Sequence, residues 1–346
     1  MLRSVRRDDP DDGLLEYIES RAVQWVREAG GMALGLFGHP LHVEFKAEGR
    51  LSPVTEADRG IEAFLRAAIA GEFPDHAILG EEGTEMDVAA REFVWVLDPL
   101  DGTSNFWNGL PIFACSAALL WRGEPVVGAI FLPAASLPPA ALPATAGVKK
   151  RLERRPDDAA VDAVVGSHGA GLPAPADRGT DVADSRVSLR SGVIHARRRG
   201  GAHLDGVAVS ASEEAVPVAS HLIGLPGHHG RLFQWVDPSR RRPGEPRCLG
   251  SICFEVSMVA TGVLLYAVYR RPKVWDVAAG TLIVREAGGE SLYWHRDRWE
   301  PLLRFDAMAN PKAPVQVGLR YWVAPTLVGG RPMAHYAAER LRPKGK

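Results

Sequence analysis

Apolar residues recur at helical spacing from residue 14 to 37, where Leu14, Leu15, Ile18, Ala22, Trp25 and Val26 share one face. The pattern predicts an amphipathic helix, with Asp11 or Asp12 placed to cap its start. The same period returns from residue 61 to 69, after a polar stretch at 52–58. Then the signal changes. Ala77-Ile78-Leu79 and Phe93-Val94-Trp95-Val96-Leu97 are short unbroken apolar runs leading into acids. Such runs predict buried strands that deliver a carboxylate at their C-terminal ends. Two further runs, 115–121 and 125–132, are joined by Arg122-Gly123-Glu124 and predict a hairpin. Residues 256–269 and 277–287 predict two small-residue elements packed closely.

Between them the periodicity fails. Residues 137–143 are rich in Ala and Pro, 149–155 are dense in charge, and no sustained period appears until about 190. This stretch is either a surface insertion with a little helix or a partly disordered loop. Composition narrows the rest. The 41 Lys and Arg balance 42 Asp and Glu, so a net charge of −1 provides no field for gathering nucleic acid or an anionic membrane. The longest greasy run, 256–269, is shorter than the ~18 residues of a membrane span. The three cysteines, Cys115, Cys248 and Cys253, make no disulfide framework and no zinc spacing. The charged start, with no apolar stretch after it, leads to the expectation of no secretory signal. The expectation is a soluble cytoplasmic protein without nucleic-acid or membrane partners.

Chemistry concentrates in Asp98-Pro99-Leu100-Asp101-Gly102-Thr103-Ser104-Asn105. A strand ending at Asp98 and a turn through Gly102 can bring two carboxylates to one point, with Thr103 or Ser104 capping the helical turn that follows. Carboxylates beside the amides of a helix start can hold both a hard cation and a phosphate. Glu81 and Glu82 end another apolar run, and Asp276 opens a small-residue helix. Like charges ~4 Å apart repel by roughly 4 kcal/mol at an effective dielectric near 20, so a cluster of Glu81, Asp98, Asp101 and Asp276 calls for cations.

These residues, in this order, resemble the inositol monophosphatase family: Thr55-Glu56-Ala57-Asp58, Gly80-Glu81-Glu82, the Asp98–Asn105 stretch, and Trp275-Asp276-Val277-Ala278-Ala279-Gly280. Arg199-Gly200-Gly201-Ala202-His203-Leu204-Asp205-Gly206 resembles its glycine-rich hairpin, and Leu249-Gly250-Ser251 also matches. The resemblance implies a layered α/β (αβαβα) sandwich of the inositol monophosphatase/fructose-1,6-bisphosphatase type. It would be built as a half at 1–195, interrupted at about 137–190, and a half at 196–346 carrying Asp276. It implies Mg2+-dependent hydrolysis of a small sugar, polyol or nucleotide phosphate, by two or three ions and a water. Glu81, Asp98, Asp101 and Asp276 would be side-chain ligands, and Leu100 would offer its carbonyl. Thr103 and Asp58, with Glu81, would activate the water. Gly102, Thr103, Ser104, Gly250, Ser251 and Lys46 would face phosphate or substrate. The family also admits a homodimer.

Inositol-preferring members commonly carry an acid shortly before the Trp-Asp motif. Here Tyr269-Arg270-Arg271-Pro272-Lys273-Val274 has none, which turns expectation toward a doubly anionic substrate such as a sugar bisphosphate or nucleotide. Fructose 1,6-bisphosphate, 3'-phosphoadenosine 5'-phosphate and histidinol phosphate are alternatives, as is a catalytically silent binding protein on the same scaffold. Other candidates fall away. His221, His228 and His229 lack an organised ligand pattern. Ser167 lacks the first glycine of a nucleophile elbow, and the arginine runs 197–199 and 240–242 lack an aromatic platform. Cys115 and Cys253 sit in apolar runs, as core residues do.

Overall fold

The computed structural model describes residues 9–39, 43–45, 53–83, 91–135, 190–215, 219–236, 244–305 and 318–344. Helix α1 (Asp12–Leu36) starts where Asp11 accepts a hydrogen bond from the Leu14 amide at 2.8 Å. It is followed by the short pair β1 (Val43–Phe45) and β2 (Pro53–Thr55), then by α2 (Glu56–Glu72). Next come β3 (Ala77–Gly80), β4 (Phe93–Asp101), the single turn α3 (Thr103–Trp107), β5 (Ala114–Trp121) and β6 (Glu124–Ala135). Strands β7 (Arg190–Arg197), β8 (Ala202–Leu204) and β9 (Val207–Ala208) complete a seven-stranded sheet in sequential order from β3. Only β3 and β4 in it run parallel.

A second sheet has six strands. It contains β10 (Leu222–Gly224), β12 (Glu245–Arg247), β13 (Leu264–Tyr269), β14 (Gly289–His295), β15 (Arg298–Pro301) and β16 (Thr326–Gly330), in the order β12-β10-β13-β16-β14-β15. Strand β11 (Phe233–Trp235) pairs apart from it with β17 (Leu341–Pro343). Helices α4 (Ile252–Ala260) and α5 (Val274–Glu286) lie between the two sheets, and α6 (Arg331–Arg340) covers the outer face of the second. With α1 and α2 on the outer face of the first sheet, the layers run α-β-α-β-α.

The unbroken apolar runs follow from this layering. Along β4, Trp95 and Leu97 pack toward α1 and α2, while Val94 and Val96 pack toward the central helices. Along β6, Phe131 and Ile130 divide in the same way. A strand covered on both faces has no polar side to show, so alternation disappears from its sequence. Gly128 of β6 lets α5 come close: a Cβ there would lie 2.9 Å from the Ala279 carbonyl of α5. Among the described residues, no helix is long and apolar enough to cross a membrane.

Three elements differ from expectation. Strand β4 continues past Asp98 to Asp101, because Asp101 still pairs with Ala114 across an irregularity in register. Pro99, which has no amide hydrogen to give a ladder, falls at that irregularity. Residues 256–269 divide into the end of α4 and all of β13, so the run is a helix followed by a strand. At the start of α3 the N-cap is Gly102 at φ +86°, not Thr103 or Ser104. The left-handed conformation, which glycine adopts without Cβ strain, turns the chain and frees the Thr103 hydroxyl for other partners.

Candidate active site

Parallel pairing of β3 with β4 places Gly80 opposite Leu97, and the Glu81 amide donates to the Leu97 carbonyl at 3.1 Å. Glu81 and Asp98 therefore leave neighbouring strands at the same end. The Asp98 side chain is buried, 1% exposed, and its Oδ1 accepts from the Leu100 amide at 3.2 Å. Asp101, after the bulge, is met by the start of α4. Its Oδ2 accepts from the Ser251 hydroxyl and from the Cys253 amide, each at 2.6 Å. Ser251 also caps α4 by accepting from the Phe254 amide. Asp276 is the third residue of α5 and reaches back to accept from the Lys273 amide at 2.7 Å.

These acids feel one another. Burial, followed by repulsion from Glu81, Asp101, Asp276 and Asp58, holds the Asp98 carboxyl well above the usual carboxylate range. Burial and Asp101 do the same to Asp276. Asp101 is raised by burial, against the opposing pull of its bonds from Ser251 and Cys253. Among the described residues, no three His, Cys, Asp or Glu side chains are already closed around one ion-sized point. The donor chemistry nevertheless fits a hard divalent cation: carboxylate oxygens in mutual repulsion, with the Leu100 carbonyl on the same turn.

Asp58 lies at the first turn of α2. Its Oδ2 accepts from the Thr55 amide at 2.7 Å and the Thr55 hydroxyl at 2.5 Å, and its Oδ1 accepts from the Thr103 hydroxyl at 3.1 Å. The Thr103 hydroxyl has a second acceptor in reach, the Leu100 carbonyl at 2.9 Å. Burial raises the Asp58 carboxyl, while the bonds from Thr55 and Thr103 pull it down. The fold thus gathers Asp58, Glu81, Asp98, Leu100, Asp101, Thr103, Ser251 and Asp276 around the ends of β3 and β4 and the starts of α3, α4 and α5. Gly250 joins them beside Asn105, 3.1 Å from where its Cβ would stand. Lys46, the 137–189 stretch with Ser167, and the 240–242 run lie outside the described residues.

Three supporting residues carried no role in the sequence reading. Asn105 donates to the carbonyls of Ile112 and Leu249, at 2.8 and 2.7 Å, tying the turn of α3 to the Gly250 loop. Glu62, buried among the apolar residues of α2, accepts from the Glu82 amide at 2.8 Å and from Arg66. An acid amid the apolar face of a predicted helix was the available signal. Arg320 donates to the Gly80 carbonyl at 2.7 Å and the Glu81 carbonyl at 3.4 Å, and its guanidinium lies 5.6 Å from the Trp275 ring centre. No local pattern marks it, because its partners are about 240 and 45 residues away. Cys115 and Cys253 are buried and their thiols are pushed well up by that burial, as core residues.

The inositol monophosphatase family model matches residues 14–318 of this chain. The chloroplastic phosphatase IMPL1 of Arabidopsis thaliana is 28% identical over 285 residues, which cover 80% of this chain and 61% of that longer protein. The fructose-1,6-bisphosphatase/inositol-1-monophosphatase of Aquifex aeolicus is 28% identical over 281 residues, 80% of this chain and 86% of that one. The crystal structure of an IMPase/NADP phosphatase complexed with Mg2+ and phosphate has the same fold, with a TM-score of 0.61 at 15% identity over 94% of this chain and 95% of that one. With acids, threonine and glycine turn occurring in one order and meeting at one place, the chain belongs to the inositol monophosphatase family of phosphoric monoester hydrolases.

Proposed function

We propose that the protein hydrolyses a small sugar, polyol or nucleotide phosphate with Mg2+, using water as the nucleophile. The observation that carries the reading is the Thr103–Asp58 pair standing beside the repelling acids Asp98, Asp101 and Asp276. Glu81, Asp98, Asp101, Asp276 and the Leu100 carbonyl would hold the ions. Once bound, these ions neutralise the acids and supply Lewis acidity to the water and to the leaving oxygen.

The chain's own groups account for the remainder. Asp58 accepts the Thr103 hydroxyl hydrogen and leaves the Thr103 oxygen free to take a hydrogen bond from water, so a proton has a path from water through Thr103 to Asp58. Thr55 holds the other Asp58 oxygen and keeps the carboxylate aimed. The first amides of α3, which have no acceptor within the helix, are placed to receive phosphate oxygens. Both buried thiols are held protonated by burial, and Ser251 is committed to Asp101, which favours direct displacement by water over a covalent enzyme intermediate.

Phosphate release from a panel of sugar, polyol and nucleotide phosphates, with and without Mg2+, tests this. Release that requires Mg2+ is expected from at least one member. No release from any ester across a Mg2+ titration would leave the assignment without support.

A further inference from the structure

Helix α2 carries two buried acids, Asp58 and Glu62, 1% and 4% exposed. They stand four residues apart, one turn and about 6 Å along the axis, so they share a face. Asp58 serves the proposed proton path, whereas Glu62 is so far without a role. A carboxylate is seldom buried without partners, and Glu62 uses both of its oxygens. Oε1 accepts from Nε of Arg66, the next turn of the same helix, at 2.8 Å. Oε2 leaves the helix and accepts from the Glu82 amide at 2.8 Å. The carboxylate lies so close to this loop that a Cβ on Gly80 would stand 2.2 Å from Oε1 and 2.6 Å from Nη2 of Arg66.

The backbone on both sides of the Glu81 Cα is held. Before it, the Glu81 amide donates to the Leu97 carbonyl at 3.1 Å, and the Gly80 carbonyl accepts from Arg320 at 2.7 Å. After it, the Glu81 carbonyl accepts from Arg320 at 3.4 Å, and the Glu82 amide donates to Glu62. The peptide following Glu81 is thus gripped by a cation at its carbonyl and an anion at its amide, both charge-assisted contacts. Peptides are planar, so fixing the two that flank Glu81 fixes its φ and ψ and leaves its carboxylate only side-chain torsions.

We propose that Glu62 is a positioning residue: by holding the Glu82 amide it fixes the peptide that aims Glu81 at the cation. The inference rests on the phosphatase reading and deepens it. Because Asp58 reaches Thr103 from the first turn of α2 and Glu62 reaches the Glu81 loop from the second, one rigid helix sets both. The group that receives the proton from water and the group that holds the cation are kept in one frame. Gly80 is required for this contact, since any larger residue would push the carboxylate away from the loop.

Three variants test this. Glu62→Ala removes the acceptor, and Glu62→Gln keeps an oxygen for the Glu82 amide. Gly80→Ala displaces the carboxylate from the loop side, because the atoms in its way are the flexible ends of Glu62 and Arg66. In the metal-free proteins, hydrogen exchange at the Glu82 amide should quicken roughly tenfold or more in Glu62→Ala and Gly80→Ala. Calorimetric Mg2+ titration of the same two should give a dissociation constant raised about 10–100-fold. Both readouts should stay near wild type in Glu62→Gln, and KM for the ester at saturating Mg2+ should barely move in any of them. Should Glu62→Ala fail to fold, Gly80→Ala and Glu62→Gln decide. Unchanged Mg2+ affinity in Gly80→Ala or in folded Glu62→Ala would overturn the positioning role, since a purely structural acid lowers Tm without loosening the cation. A Glu62→Gln as weak as Glu62→Ala would overturn it too. A wild type that takes up no Mg2+ would overturn the phosphatase reading, and the role of Glu62 with it.

Discussion

The Thr103 hydroxyl stands 3.1 Å from Oδ1 of Asp58, two residues 45 positions apart that meet where α3 begins against the first turn of α2. Asp58 in turn is pinned by both the amide and the hydroxyl of Thr55. The relay is rigid from the helix end outward, so removing the hydroxyl should damage the transition state more than ground-state binding. Thr103→Ala is expected to lower kcat by about 10²–10⁴ with little change in KM, the range of a lost general acid–base contact. Steady-state kinetics separates the two parameters, and an unchanged kcat with a raised KM would move Thr103 from catalysis to binding.

Asp98 is buried and is repelled by Glu81, Asp101, Asp276 and Asp58. Asp98→Asn keeps the shape and removes the charge that a dication would balance. Turnover below a tenth of wild type is expected, more than ~1.4 kcal/mol of barrier. In EDTA the variant should have a Tm no lower than wild type, because the neutral amide adds nothing to the repulsion among the remaining acids. A metal-free Tm well below wild type would show that Asp98 is held by favourable contacts and not by want of a cation.

Glu255 supplies a pH dependence with a definite sign. Burial raises its carboxyl from 4.5 to about 7 in the folded protein, against the bond it accepts from the Leu249 amide at 2.7 Å. Unfolded chains release this proton near 4.5 and folded ones near 7, so the stability it contributes is full below 4.5 and is lost as pH rises through 7. The total is about 3 kcal/mol at 1.36 kcal/mol per unit. Glu255→Gln should lose that slope. Urea unfolding of the two metal-free proteins, measured from pH 4.5 to 8, should give similar stabilities at low pH and diverge as pH rises, the wild type falling below Glu255→Gln by about that amount. Parallel curves would remove Glu255 as the titrating group.

Arg320 holds the backbone of the Glu81 loop through the Gly80 and Glu81 carbonyls while lying against Trp275, the neighbour of Asp276. It touches two segments that carry proposed ligands, Glu81 and Asp276, without itself being one. Loss of such an outer contact typically weakens metal binding about 10–100-fold. Arg320→Ala is expected to raise the Mg2+ dissociation constant within that range, with KM at saturating Mg2+ nearly unchanged and partial rescue by Arg320→Lys. Calorimetric Mg2+ titration reads it directly, and unaltered affinity would confine Arg320 to structure.

Ala135 and Arg190 face each other across the β6–β7 ladder, so the ends of the 136–189 stretch stand one strand apart. A turn of about four to five residues spans such a gap. Replacing 136–189 with a short Gly/Ser turn should leave a folded protein with metal-dependent hydrolysis, because none of the proposed ligands lies there. A folded but inactive product would assign the stretch to the site.

Much of this protein was legible along the chain. Helical spacing located α1 and α2, since one face of each is apolar, and unbroken runs located β3 to β6, since both faces of their sheet are covered. The acids, Thr103 and Gly102 were visible because the chemistry that uses them needs those residue types at those spacings. The ends of elements were less visible. β4 runs on to Asp101 and 256–269 breaks into a helix and a strand because cross-strand pairing with β5 and β16 decides where a strand stops. Contacts between distant segments were invisible altogether. Ser251 on Asp101, Arg320 on Gly80 and Asn105 on Leu249 join residues up to about 240 positions apart, and no local period records such a meeting. The residues alone established the inventory of charges and which segments are buried, because burial leaves a periodic trace; the layer order was implied by the family resemblance. Which carboxylate each hydrogen-bond donor reaches was decided by the tertiary packing that brings the start of α4 to the end of β4.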